Sequence, residues 1–286
     1  MKTKEKFVAF IDILGFSDLV EEAQAEGEDV ERILKLTTAL GTAADASQFA
    51  TSGPTTCPGS GYLERSLDFV VTQISDCVVI STEVSPAGIV NLTSHCFWIT
   101  QRLISLGVQC RGAIKKGQVY HQPDQVVGVA YQQAVTGEKT TRVLRADEAE
   151  VGTPFIELDE AVVAYIRDET DECVRDMVGR VTISDGEYTA IYPFKALMDK
   201  PFRTVHPGFP FDPEDWLAAV RRSLAQRRAT LATFQAALVK AKDPRIARKI
   251  RHYITGLEAL IPPVERKEAR ALEIIASGKI PWGQVL

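Results

Sequence analysis

The chain has 286 residues, 45% of them hydrophobic and 25% charged, with a net charge of -5 and a pI near 5.5. This composition suits a globular protein with one sizeable core and a smaller appended unit, and it excludes the broad basic surface that nucleic-acid binding requires. No apolar run of about 18 residues is present to span a membrane, and MKTKEKF leads straight into a strand pattern with no signal-peptide character, so a cytoplasmic protein is expected.

In chain order, Lys6 to Leu14 reads as a buried strand, and Gly15, Phe16 and Ser17 form the turn that opens a helix reaching about Phe49, with a break near Gly27. TSGPTTCPGSG, residues 51 to 61, is a loop by composition. Leu67 to Thr72 and Asp76 to Thr82 are two β-rich runs with a hairpin signal between them, which puts Asp76 at the tip. Pro86 starts a helix to about Leu106, with Ile89, Val90, Leu92, Phe97, Leu103 and Ile104 at helical spacing. Val108 to Tyr120 is a further strand, and a helical pattern follows Gly128 to about Ala146. Shorter β-like pieces lie at 155 to 158, 180 to 183 and 188 to 194. From Asp212 the composition turns to Ala, Arg, Leu and Glu, and helices are expected over 213 to 241, 244 to 261 and 264 to 277, with Pro262 and Pro263 as the interruption. The arginines of this tail, among them Arg221, Arg228, Arg245 and Arg251, read as a solvated helix face ahead of a nucleic-acid patch or a dimer contact.

The cysteines, Cys57, Cys77, Cys96, Cys110 and Cys173, are odd in number and lack CxxC spacing, so buried reduced thiols are expected ahead of disulfides or zinc. The four histidines show no ligand spacing, and no GxSxG, P-loop or GxGxxG pattern is present. The informative residues are two acids. Asp12 ends the apolar run KFVAFID and Asp76 sits at the turn of QISDCVVIS. Strands laid side by side would bring both carboxylates onto one divalent cation, the arrangement by which phosphoryl-transfer enzymes hold a nucleoside triphosphate.

FVAFIDILGFSDLV resembles the first metal segment of class III nucleotide cyclases, QISDCVVIS their second, and CRGAIKKGQVY the strand that follows. The resemblance covers roughly residues 6 to 146 and is closest to the pyrimidine cyclases of bacterial Pycsar antiphage systems. It implies an α+β fold, with a ferredoxin-like, palm-like catalytic core over residues 1 to 205 and a helical extension over 206 to 286. It also implies Asp12, Asp76 and the backbone carbonyl of Ile13 as metal ligands, for manganese or alternatively magnesium. The amides of Gly15, Phe16 and Ser17 would cradle phosphate oxygens at a helix N-terminus, and Arg111 would contact the polyphosphate, with Lys115, Lys116 and Arg142 as lesser helpers.

Substrate-binding positions of the family fall on Thr72 and Val126 for the base and on Gln132, where asparagine is common. Neither the adenine-reading nor the guanine-reading residues stand at 72 and 126, which agrees with a pyrimidine substrate. Thr136 occupies the place of the transition-state arginine, so that either Arg111, Arg142 or Arg145 takes over or turnover depends more heavily on the metal. The resemblance therefore implies conversion of UTP, or alternatively CTP, to its cyclic monophosphate and pyrophosphate. It further implies a homodimer with composite sites and a separate effector that senses the product. A metal-dependent nucleotide sensor without turnover is the alternative from a different class.

Overall fold

A computed structural model describes residues 2–25, 30–41, 45, 66–195 and 211–280. The fold is α+β, with an eight-stranded mixed sheet and, among the described residues, eight helices. It divides into two compact units, residues 1–193 and 194–286. That division falls earlier than the expected 205/206 boundary, a position outside the described residues.

In the first unit, β1 (Lys4–Ile13) is followed by helices α1 (Phe16–Ala25) and α2 (Glu31–Ala39). Strands β2 (Phe69–Ile74) and β3 (Cys77–Glu83) form the expected hairpin, turned by Ser75 and Asp76, with Ser75 in the left-handed region at φ 56°. Helix α3 (Pro86–Ser105) starts as its sequence directs: Pro86 occupies the first turn and the Ser85 hydroxyl accepts from the Gly88 amide at 3.0 Å. Next come β4 (Cys110–Gln122), the short β5 (Gln125–Val127) and α4 (Val129–Glu138). The order of the first four strands is β2-β3-β1-β4, all antiparallel. Beyond β4 the sheet continues through β6 (Ile156–Leu158), β8 (Thr189–Ile191) and β7 (Thr182–Ser184), with β6 parallel to β4. Between β6 and β7 lie α5 (Glu160–Asp168) and α6 (Glu172–Gly179), two short helices that the sequence reading did not include.

Strand alternation distributes β1 between two cores. Phe7, Ala9, Ile11 and Ile13 point to one face, which α3 covers with Ile89, Leu92, Cys96, Ile99 and Leu103, all fully buried at helical spacing. Val8 and Phe10 point to the other, where Val79, Val119, Ala130 and Ala134 close a second cluster beneath α4. The small alanines let α4 lie close against the sheet.

Three expectations are corrected. Helix α2 ends at Ala39; most of the remaining span to Phe49 lies outside the described residues, as does the loop at 51 to 61. Helix α4 ends at Glu138 and does not reach Ala146. Downstream, carboxylates capture the backbone amides that a helix would use: Glu157 accepts from Arg142 and Val143, Asp185 from Leu144, and Glu150 from Ala146. Cys77, Cys96 and Cys110 are free thiols as expected, whereas Cys173 is disulfide-bonded; Cys57 lies outside the described residues.

The second unit consists of α7 (Pro213–Lys240) and α8 (Pro244–Ser277). Its correction concerns the proline pair: α8 runs unbroken through Pro262 and Pro263. The carbonyls that lose their helical donors belong to Glu258 and Ala259, both exposed, while Ile261 and Val264 stay packed with Val220 and Leu224 of α7. Tertiary packing thus outweighs a break whose freed groups face water. Two tail arginines join the helices, Arg221 to Glu268 at 2.7 Å and Arg228 to Glu265 at 2.8 Å.

Tyr253 of α8 is fully buried between the rings of Phe194 and Phe234, at 5.4 and 5.5 Å. Gly256, one turn on, lies flat against the Phe194 ring, so that an added Cβ would overlap it. Gly256→Ala is therefore expected to destabilise the protein by about 1–2 kcal/mol, overpacking outweighing the ~1 kcal/mol that alanine gains in a helix. A thermal midpoint that rises in the variant would contradict this packing.

Candidate active site

Register sets the site. Asp12 lies opposite Cys77 of β3 and Arg111 of β4, and the Ile13 amide donates to the Asp76 carbonyl at 3.1 Å. The two acids picked out from separate strands therefore stand at one end of the sheet, within electrostatic reach of each other. A third joins them. Glu138, the last residue of α4, is buried with its side chain 2% exposed, and both Nε and a terminal nitrogen of Arg111 donate to its Oε1. The Arg111 guanidinium is further enclosed by Gly152, where an added Cβ would lie 2.5 Å from it.

The Asp12 carboxyl is pushed up to about 6, first by burial, then by the charges of Glu138 and Asp76, against the opposing pull of Arg111 and Lys139. The neighbouring Cys77 thiol is pushed up to about 11 by burial and by the same three carboxylates. Burial is the larger cause for both groups, and the clustered carboxylates add negative potential of the kind that a proton or a divalent cation relieves. Among the described residues, no three or more His, Cys, Asp and Glu side chains gather into a ready-made metal cage. The residues fit an ion held by one or two carboxylates that takes its remaining oxygens from backbone and substrate, as magnesium-type sites do. Asp12, Asp76 and the Ile13 carbonyl are the donors the chain offers.

Gly15 adopts φ 73° and is exposed, which turns the chain from β1 into α1 so that Phe16 and Ser17 open the helix. Their amides sit immediately beyond Asp12 in the chain. Of the lesser helpers, Lys115 pairs with Asp159 at 2.9 Å, Lys116 lies over the Tyr165 ring and Arg142 reaches Tyr188; Arg145, considered as a replacement for the arginine missing at Thr136, pairs with Glu187.

Thr72 and Val126 are brought together elsewhere on the same sheet face, around His121. The Thr72 hydroxyl donates to the Pro123 carbonyl at 2.9 Å, so the contact at 3.0 Å with His121 Nε2 must be donated by the imidazole. His121 is then the neutral Nε2-H tautomer, and its Nδ1 accepts from Ser81 at 2.8 Å. Ser81 in turn accepts from Lys6, whose buried ammonium is paired with Asp68 at 2.7 Å. Burial, with the charge of Lys6, pulls His121 down to about 4, so it is uncharged at neutral pH. Val126 packs against the apolar cluster that contains Val8 and Val79.

Gln132 and Thr136 line a cleft of about 430 Å³ together with Lys115, Gln133 and Asp159. The Thr136 hydroxyl donates to the Gln132 carbonyl at 3.0 Å. The sequence reading missed Glu138 and the Lys115–Asp159 pair. Glu138 had a signal of sorts, since it ends the quoted segment GVAYQQAVTGE, but its burial depends on Arg111, 27 residues earlier in the chain. No known family model matches this chain, and none of the curated proteins does.

Proposed function

We propose that the protein is a pyrimidine nucleotide cyclase of class III type that converts UTP, or alternatively CTP, to its 3',5'-cyclic monophosphate and pyrophosphate. In this reading it acts in the cytoplasm as a homodimer with composite sites, in antiphage signalling through a separate effector. The observation that carries it is the convergence of Asp12 and Asp76 at one end of β1 and β3, where the charges of Asp76 and Glu138 add to burial in raising the Asp12 pKa. The β2-β3-β1-β4 order, with helices after β1 and after β3, supports a palm-like core.

Manganese, or magnesium, would be held by Asp12, Asp76 and the Ile13 carbonyl. When bound, the ion supplies positive charge to phosphate oxygens that become more negative as the ribose 3' hydroxyl attacks the α-phosphate and pyrophosphate departs. The chain's own contributions are positional. Asp12 must be ionised to bind, which its pKa of about 6 permits at neutral pH. The amides of Gly15, Phe16 and Ser17 donate to phosphate oxygens at the helix start. Arg111 backs the carboxylates from β4 while it is paired with Glu138.

That pairing, with Thr136 in place of an arginine, favours one second reading, a nucleotide sensor that binds with metal and does not turn over. Purified protein incubated with each of the four ribonucleoside triphosphates and manganese distinguishes them. A cyclic pyrimidine monophosphate plus pyrophosphate is expected, and Asp76→Asn should remove it without unfolding the protein. Tight metal-dependent binding without product would establish the sensor instead.

A further inference from the structure

A nucleotide needs a place for its base, and neither Thr72 nor Val126 has a side-chain hydrogen-bond donor to offer it. The single hydroxyl hydrogen of Thr72 is given to Pro123, one of its lone pairs is taken by His121, and Val126 faces an apolar core. Thr72 therefore has no donor left for a base carbonyl. The cleft beside α4 has the groups that these positions lack. Val129, 59% exposed, gives it an apolar wall, and Gln132 and Gln133 bring carboxamides, each with a donor and an acceptor in one plane. Lys115 adds a donor-only ammonium and Asp159 an acceptor-only carboxylate, held 2.9 Å apart so that the cleft carries both signs without net charge from the pair. An apolar face with a mixed donor and acceptor edge is the chemistry of a nucleobase, whereas a triphosphate would call for unpaired cations. At about 430 Å³ the cleft also falls within the ~300–1,000 Å³ range of small-molecule sites.

We infer that the cleft between α4 and the Lys115–Asp159 pair is the nucleobase-binding subsite, with Gln133 and Lys115 as residues that hold the base edge. The inference rests on the nucleotide reading above. It is tested on the full chain with manganese and two probes, 3'-deoxy-UTP, which lacks the attacking hydroxyl, and inorganic tripolyphosphate, which lacks a base. Calorimetric titration of Gln133→Ala and Lys115→Met should show 3'-deoxy-UTP bound about 5- to 10-fold more weakly than by the parent, the loss of roughly one hydrogen bond, with tripolyphosphate binding unchanged. If both variants bind 3'-deoxy-UTP as the parent does, the subsite is wrong and the nucleotide reading survives. If they lose both probes equally, the cleft holds phosphate and the inference fails. If the parent binds neither probe, the nucleotide reading and this inference fall together.

Discussion

Asp12→Asn is expected to abolish turnover and at the same time raise the thermal midpoint of the protein. The loss of activity follows from removing a metal carboxylate. Several kcal/mol of charge stabilisation disappear, which is roughly a thousandfold or more in rate. The gain in stability follows from the site's own electrostatics. A pKa of about 6 against an ordinary carboxyl near ~3.9 means that ionised, half-buried Asp12 opposes folding at neutral pH, by about 1–2 kcal/mol once solvent screening is allowed for, part of which asparagine recovers. The sign is specific. A carboxyl whose pKa is raised in the folded state binds its proton more tightly there, so the parent gains stability as pH falls from about 6 towards ~4. The variant lacks that gain, and the two stability curves should converge at the acid end. Manganese should raise the parent's midpoint and leave the variant's in place. An active variant, or one that melts below the parent at neutral pH, would remove Asp12 from the charge cluster described above.

Glu138→Ala is expected to cost about 2–3 kcal/mol of stability, because the loss of a buried charged partner is offset in part by Asp12, whose charge still faces Arg111 and no longer meets that of Glu138. It would strip the half-buried Arg111 guanidinium, 15% exposed, of the carboxylate that pairs with its Nε and a terminal nitrogen. Glu138 also stands at the C-terminal end of α4, where the helix dipole disfavours negative charge. Arg111 is therefore what keeps it there. Arg111→Ala should be comparably damaging, and the double variant should lose clearly less than the sum, because each single change strands one buried charge. Urea unfolding of the four proteins gives the coupling. Losses that simply add would mean that the two residues act separately.

The strands and the long helices were legible because their signals are local. The apolar run of β1, the hairpin before and after Ser75, and the Pro86 start with its helical apolar stripe each sit within a few residues of one another. Asp12 and Asp76 were found for the same reason, since each ends a strand or a turn. What escaped depends on partners distant in the chain. The end of α4 is decided by carboxylates at Glu150, Glu157 and Asp185 that capture its continuation. The role of Glu138 depends on Arg111, and the fate of the Thr72 hydroxyl on His121 and Pro123. The proline pair misled because local backbone preference marks a break, while Val220, Leu224, Ile261 and Val264 hold the helix together from outside it.

The hydrogen bonds that lead from Lys6 through Ser81, His121 and Thr72 to Pro123 have a single direction of donation, set at one end by an ammonium that can only give and at the other by a carbonyl that can only take. Acidification therefore has no local remedy. A second proton on the imidazole would place a new cation beside Lys6 and leave the Ser81 hydrogen with nowhere to go. The folded protein resists that proton down to about pH 4, while the unfolded chain accepts it near ~6.5, so below neutrality this seam across four strands progressively favours opening. The contact that must give way is the one between His121 and Ser81, where the new proton would sit, while the bonds from Nε2 to Thr72 and from Thr72 to Pro123 keep their direction.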